Sequence, residues 1–565
     1  MKTNKILLSI AFFILSLSVF AQVKNIENPY IIATYECGGI YWKQNDNGDC
    51  KIRYKEATNG IWKHGLDLVY DSRDREYRGS IVGLLPNTEY LVELSTSDAK
   101  AQLKFNTRND KFPIGKTTFL PIGESDKPIV ITESGTPDAY HLITVPENSR
   151  SVLDLRNVYD YGIKIDADYV IISGIEIRNP AIHGIYINQE RHDIVIEQCH
   201  ITFWGRLGGP RTYGNHEGSM DSGIYGDKAC YNITIQRNLI ENPRGASNDW
   251  ETGHPSGPQG ISFNQSNGGN VIRYNDILST EDHGFNDAIG GGRNFSWEGN
   301  MNRDSDIYGN IIRSVWDDAI ECEGANMNVR IWGNYTHRYF NAIAIACTSK
   351  GPLYIYKNVL GESRKGQSNN QGGSIIKIGE RNEFGGGRKY VFHNTALQPN
   401  GAVNAFSSHV NPNCVTRNNI FDVSGRFASN KEKEPISDYD YDYFSGNSYG
   451  LEKEPNAIEF GTTPSGTMLY VASYKLEFYP RLWINSIIWG KQPINYGDKT
   501  LIITDPVVQI KNPLIDSGVL LPGFNDDFEG QAPDLGAFEV GALPLEFGRR
   551  AYLNFHESWA PWEKF

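Results

Sequence analysis

A short strand ending in asparagine recurs through the middle of this chain. It reads "ITIQRN" to Asn238, "VIRYN" to Asn275, "DIYGN" to Asn310, "VRIWGN" to Asn334, "LYIYKN" to Asn358, "YVFHN" to Asn394 and "CVTRN" to Asn418. Ile175 and Cys199 hold the same place in two earlier units. From Ile175 onward the spacings are 24, 39, 37, 35, 24, 24, 36 and 24, so the base period is 24 and four units carry insertions of 11 to 15 residues. Apolar residues alternate within each unit, as in half-buried strands. A unit this small cannot bury its own apolar face, so neighbours must stack, at about 4.8 Å per layer. The pattern predicts an all-β chain dominated by a right-handed parallel β-helix. Stacked asparagines can hydrogen-bond along the axis, and they are also ordinary turn formers. Both readings are structural and keep these residues out of the site.

Each unit has a second strand with its own apolar landmark: Ile163, Ile185, Ile224, Ile261, Phe285, Ile320, Ile343 and Ile376. The insertions flank this strand. "FWGRLGGPRTYGNHEGSMD" and "NPRGASNDWETGHPSGPQ" precede it, while "GGGRNFSWEGNMNRD" and "GERNEFGGGRK" follow it. Long loops gathered beside one face of a rigid scaffold carry function, and these would wall a groove.

Before the repeats, residues 22–108 are predicted to form a small β-sandwich. "GGIYWKQ" and "CKIRYKEA" read as strands around the turn "NDNGD". The Leu-x-Pro-x-Thr-x-Tyr run from Leu84 to Tyr90 resembles the tyrosine corner of fibronectin type III domains. Residues 1–21 read as a signal peptide. Lys2 and Lys5 precede the apolar run "ILLSIAFFILSLSVF", and the small Val19 and Ala21 suit a cleavage site before Gln22. The mature protein is therefore expected to be secreted or periplasmic. The β-helix is expected to span 109–545, with a tail at 546–565.

The net charge of −13 argues against nucleic acid as a partner. No second long apolar run points to a membrane, and a monomer is expected. Among seven cysteines, Cys37 with Cys50 is the one pair expected to form a disulfide.

The region from about 110 to 545 resembles the right-handed parallel β-helix superfamily of pectate lyases, polygalacturonases, chondroitinases and carrageenases. The closing segment "PLIDSGVLLPGFNDDFEGQAPDLGAFEVG" is similar to the last coil of such secreted proteins. The Asn-Thr-Asp, Gly-His-Gly and Arg-Ile-Lys set of polygalacturonases is absent. So is the lysine that follows the acidic pair in chondroitinase-like lyases. The resemblance implies degradation of a polysaccharide in an open groove.

Within "SVWDDAIECEGANMNVRIWGNY" stand four carboxylates in seven residues, Asp317, Asp318, Glu321 and Glu323. Ile320 and Cys322 should point inward. Glu321 and Glu323 then point outward, with Cα atoms about 6.5–7 Å apart. Asp317 and Asp318 are expected in the turn entering the strand. The following units place Ala344 and Ala346, then Lys377 and Gly379, at the outward positions. Paired carboxylates facing a groove suit glycoside hydrolysis, one as acid and the other as base or nucleophile. Acids are plentiful and no base is clearly placed, so a glycoside hydrolase using these four residues leads, with no required cofactor. The alternative is a lyase in which Asp318, Glu321 and Glu323 hold calcium. Its base would be Lys377, Arg381 or His283. A non-catalytic glycan-binding protein is the third reading. His283, Asp287, Lys377, Arg381, Arg388, Trp250 and Trp204 are the expected substrate-binding residues, the tryptophans by stacking on sugar rings.

Overall fold

The computed structural model describes residues 28–45, 47–206, 220–245, 257–361, 363, 373–380, 383–398, 403–405, 412–423, 436–444, 455–456, 458–459, 514–543, 545–553 and 560–564. The signal segment, Trp250 and Arg381 lie outside these residues. No described helix is long and apolar enough to cross a membrane.

From Ile114 the chain winds as a right-handed parallel β-helix, the hand that parallel crossovers take. One coil illustrates the path: Asn341–Ile345, then Leu353–Tyr356, then Val359–Leu360, then back to Ile376–Ile378 in the next layer. The described strands stack into three parallel sheets of 10, 12 and 13 strands. The 10-stranded groove sheet runs from Ile129–Ile131 to Val403–Ala405. The 12-stranded back sheet runs from Ile114–Phe119 to Asp438–Tyr439. The third runs from Gly123–Ser125 to Ile458–Glu459.

Isoleucine is the stacking unit. Ile163, Ile185, Ile224, Ile261, Ile289, Ile320, Ile343 and Ile376 pair in register down the groove sheet, all fully buried. Each such side chain contributes about 1.5–3 kcal/mol by leaving water. The landmark of the fifth unit is therefore Ile289, not Phe285. Phe285 sits four residues earlier and stacks on Trp204 inside the core.

The asparagine ladder is real. Each Nδ2–H donates to the next Oδ1 at 2.9–3.0 Å, from Asn238 through Asn275, Asn310, Asn334, Asn358 and Asn394 to Asn419. The last rung is Asn419 and not Asn418. The residue before each rung takes a left-handed conformation, as Gly333 (φ 58°), Lys357 (φ 52°) and His393 (φ 53°) do. Asn418, at φ 59°, fills that preceding place. Asn334→Ala removes one rung and strands buried donors and acceptors on both neighbours, at about 1–3 kcal/mol for each group left unsatisfied. A clear fall in the urea midpoint is expected, and an unchanged midpoint would deny the ladder a stabilising role.

The N-terminal strands form two four-stranded antiparallel sheets. One holds Tyr30–Ala33, Gly38–Lys43, Glu76–Ile81 and Val69–Asp71, and the other Lys63–His64, Lys51–Glu56, Glu89–Ser95 and Lys100–Asn106. Leu85 N–H donates to Tyr90 Oη at 2.9 Å, the contact that the Leu84–Tyr90 pattern predicts. This sandwich lies on the back sheet. Tyr41 Oη donates to the Asp304 carboxylate at 3.0 Å, and Ser80 N–H donates to Tyr354 Oη at 2.9 Å. Arg330 is fully buried between the two parts, bonded to Asp306 Oδ1 at 2.5 Å and to Ser80 Oγ at 3.2 Å. Residues 514–543 extend this cover, with Leu521 and Phe524 packed on Tyr354, Tyr356 and Phe392. All seven cysteines are free and buried. Cys37 packs at the junction with the helix and Cys50 inside the sandwich, so the expected disulfide is absent.

Candidate functional site

With Ile289 as landmark, the coils align and their polar residues fall into rows. Gln259, Asp287, Asp318, Asn341 and Ser374 each stand two residues before the stacked isoleucine. Glu321, Ala344 and Lys377 each stand one residue after it, in direct register. Strand alternation turns Glu321, Ala344 and Lys377 outward while the isoleucines turn inward, and Gln259, Asp287, Asn341 and Ser374, at or just before the start of their strands, also line the cleft. The groove sheet thus brings acids from two adjacent coils beside a lysine two coils on. Asp318 belongs to the strand Asp318–Glu321 itself, not to the entering turn.

The residues frame a cleft of about 1280 Å³, whose lining includes Asp287, Asp317, Glu321, Glu323 and Lys377. Outward does not mean exposed. Asp287, Asp317, Asp318, Glu321 and Glu323 are all buried, at 8% exposure or less. Lys377 Nζ pairs with Asp318 Oδ2, and Asn341 Nδ2–H donates to Asp318 Oδ1 at 2.7 Å. Asp287 accepts from Asn286 at 2.9 Å, Gln259 at 3.2 Å and the Asp318 backbone N–H at 3.2 Å. Asn294 donates to Glu321 Oε2 at 3.2 Å, and Ala346 N–H donates to Glu323 Oε1 at 3.0 Å.

Five buried carboxylates around one ammonium leave the site short of positive charge. Burial, then the charge of Asp317, pushes the Asp318 carboxyl well above its ordinary range. Burial, then Glu323 and Asp287, does the same to Glu321. Burial acts on Lys377 in the opposite sense, but Asp318, Asp317, Glu323 and Glu321 outweigh it and hold the ammonium protonated. Asp318, Glu321 and Lys377 are thus all pushed toward holding a proton.

A hard divalent cation fits that deficit. Asp287, Asp318 and Glu321 each offer one carboxylate oxygen, all within 4.8 Å of one another. Oxygens on opposite sides of one calcium ion lie about 4.6–5.2 Å apart, so three at this spacing suit a single ion. Asn286, 2% exposed and also lining the cleft, has an amide oxygen with no hydrogen-bond partner among the described residues. The trio differs from the set expected for a lyase, with Asp287 in place of Glu323. Glu323 lies beyond the strand and is held by the Ala346 backbone.

Other expected binding residues stand elsewhere. Trp204 is fully buried in the core, so its ring faces protein and not sugar. Arg388 lies over Tyr390 and lines a separate pocket of about 340 Å³ at the sandwich junction. His283 Nδ1–H donates to Pro243 O at 2.8 Å and its ring meets Phe203, away from the cleft lining. Gln259 and Asn341 were missed. Their signal was present in the sequence, at fixed positions near the stacked isoleucines.

No protein-family profile matches the chain, and no curated protein matches it. Among solved structures it is similar to the crystal structure of pectate lyase Pel9A. That match has 15% identity, a TM-score of 0.38, and covers 76% of this chain and 86% of that one. It is also similar to the Family 28 exopolygalacturonase of Yersinia enterocolitica, at 10% identity and TM-score 0.22, covering 76% and 100% of the two chains. A third is pectate lyase PelI from Erwinia chrysanthemi in complex with tetragalacturonic acid, at 9% identity and TM-score 0.16, covering 77% and 91%.

Proposed function

We propose that this chain is an exported polysaccharide-degrading enzyme, and that it is a lyase acting on a uronate-containing polymer with the help of a divalent cation. The observation that carries the reading is the cluster of Asp287, Asp318 and Glu321, three buried carboxylates within 4.8 Å, beside Lys377. A hydrolase on paired carboxylates needs two groups flanking a sugar, about 5–5.5 Å apart for retention or 6.5–9.5 Å for inversion. Three acids converging more tightly than that, with a lysine among them, suit a cation and a base better.

Asp287, Asp318 and Glu321 would hold the ion. When bound, it supplies positive charge that binds a uronate carboxylate and acidifies the proton at C5. Lys377 Nζ would take that proton, a role supported by its position beside Asp318. Burial disfavours its ammonium form, so Nζ gives up its own proton more readily once the surrounding negative charge is offset. The C5–H electron pair then becomes the C4–C5 double bond, and the C4–O bond breaks with its electrons leaving on the glycosidic oxygen. A proton from solvent completes the leaving alcohol.

The test is product chemistry. The protein is incubated with neutral, uronic and sulfated polysaccharides, and reducing ends and ultraviolet absorbance are followed together, with and without EDTA. Both signals should rise on a uronic polymer and both should fall with EDTA. Reducing ends without new absorbance would replace this reading with hydrolysis.

A further inference from the structure

The N-terminal sandwich touches a loop whose neighbouring residues line the cleft. Its turn between Val69–Asp71 and Glu76–Ile81 presents Arg73, held on Asp71 by contacts of 3.2 and 3.0 Å. The guanidinium lies over the Trp297 ring at 5.1 Å, and Nη1–H donates to Gly385 O at 3.1 Å. Phe384 meets Trp297 edge-on at 5.4 Å. One side chain thus ties together two inserted loops, around 292–298 and 383–388. Trp297 is 41% exposed, so core burial does not hold it there. Farther along, the first loop is anchored to the helix, where Ser349 Oγ–H donates to Ser296 O at 2.6 Å.

Between that clamp and the acidic floor the loop carries Arg293, Asn294 and Phe295, all lining the cleft. Asn294 reaches Glu321. Arg293 is exposed and makes no ion pair with a described residue. On a chain of net charge −13, above a floor of buried acids, an exposed guanidinium is the group suited to a carboxylate or sulfate on the substrate.

We infer that the sandwich is part of the substrate-binding apparatus: through Arg73 it fixes the cleft wall that carries Arg293, and Arg293 takes an anionic group on a sugar flanking the cleaved bond. Arg73 is a positioning residue and Arg293 a specificity residue. The inference rests on the cleft being the place where polysaccharide binds.

Two measurements test it without turnover. Hydrogen exchange of Arg73→Ala should quicken across 292–298 and 383–388 and leave the stacked strands as in the native protein. Unchanged loop exchange overturns the clamp. Affinity is then measured in EDTA with polygalacturonate and chondroitin sulfate as probes. Arg293→Ala should bind the preferred polymer about tenfold more weakly, the scale of one charge-assisted hydrogen bond, and Arg293→Lys should recover part of the loss. Arg73→Ala should weaken binding in the same sense, and the double variant should be no worse than Arg293→Ala alone. Additive losses, undiminished binding by Arg293→Ala, or no binding of either polymer by the native protein overturn the inference. Absence of an unsaturated product would instead remove the proposed reaction and leave these outcomes standing.

Discussion

Lys377→Ala is expected to lower turnover about a thousandfold while the chain stays folded. A positioned proton-transfer group contributes about 10²–10⁴ in rate, and Lys377 is the described base candidate that lines the cleft beside the acids. Removing one partner of a buried ion pair is often severe, because the other charge is stranded. Here the stranded partner has an escape. The Asp318 carboxyl already lies well above its ordinary range, so it can keep a proton, and Asn341 still donates to it. Loss of rate should therefore exceed loss of stability. The check is the initial rate of ultraviolet absorbance alongside a thermal melt. Turnover within tenfold of native would remove Lys377 from the chemistry.

Asp318→Asn is the second large effect, and it should act in opposite directions with and without cation. With calcium at about one hundred times its dissociation constant, the native protein gains about 2.7 kcal/mol, which the variant should lose together with its activity. Without cation, the sign follows from the raised carboxyls. Folded Asp318 and Glu321 keep protons that the unfolded chain releases near its ordinary values, so the native state binds more protons as pH rises from about 4. Their contribution to stability is present at low pH and falls as pH climbs toward the folded values. The amide in Asp318→Asn carries no such penalty. In EDTA at pH 8 the variant should melt above the native protein, and the gap should close near pH 4. Melting below native at pH 8 in EDTA would contradict the charge deficit.

Much of the architecture was legible because isoleucine and asparagine recur at one spacing, and only stacked strands use such a pattern. The acidic stretch was legible for the opposite reason, since nothing in strand packing calls for four carboxylates in seven residues. The errors have physical causes. Phe285 looked like a landmark because an insertion hid the count, and that shift concealed the row joining Asp287 to Asp318. Asn418 and Asn419 differ only in backbone conformation, which neighbouring letters do not reveal. The burial of Trp204 depends on a contact with the distant Phe285. The docking of the sandwich was not legible because its Tyr41, Ser80 and Arg73 contacts all reach residues more than 200 positions away.

Calcium is titrated calorimetrically into the EDTA-stripped protein, in parallel with Asp318→Asn and Glu321→Gln. One ion should bind per native chain at this cluster, with no corresponding heat in either variant. A native chain that takes up no calcium, or variants that bind it as well as native, would contradict the central claim that these acids converge to hold a cation.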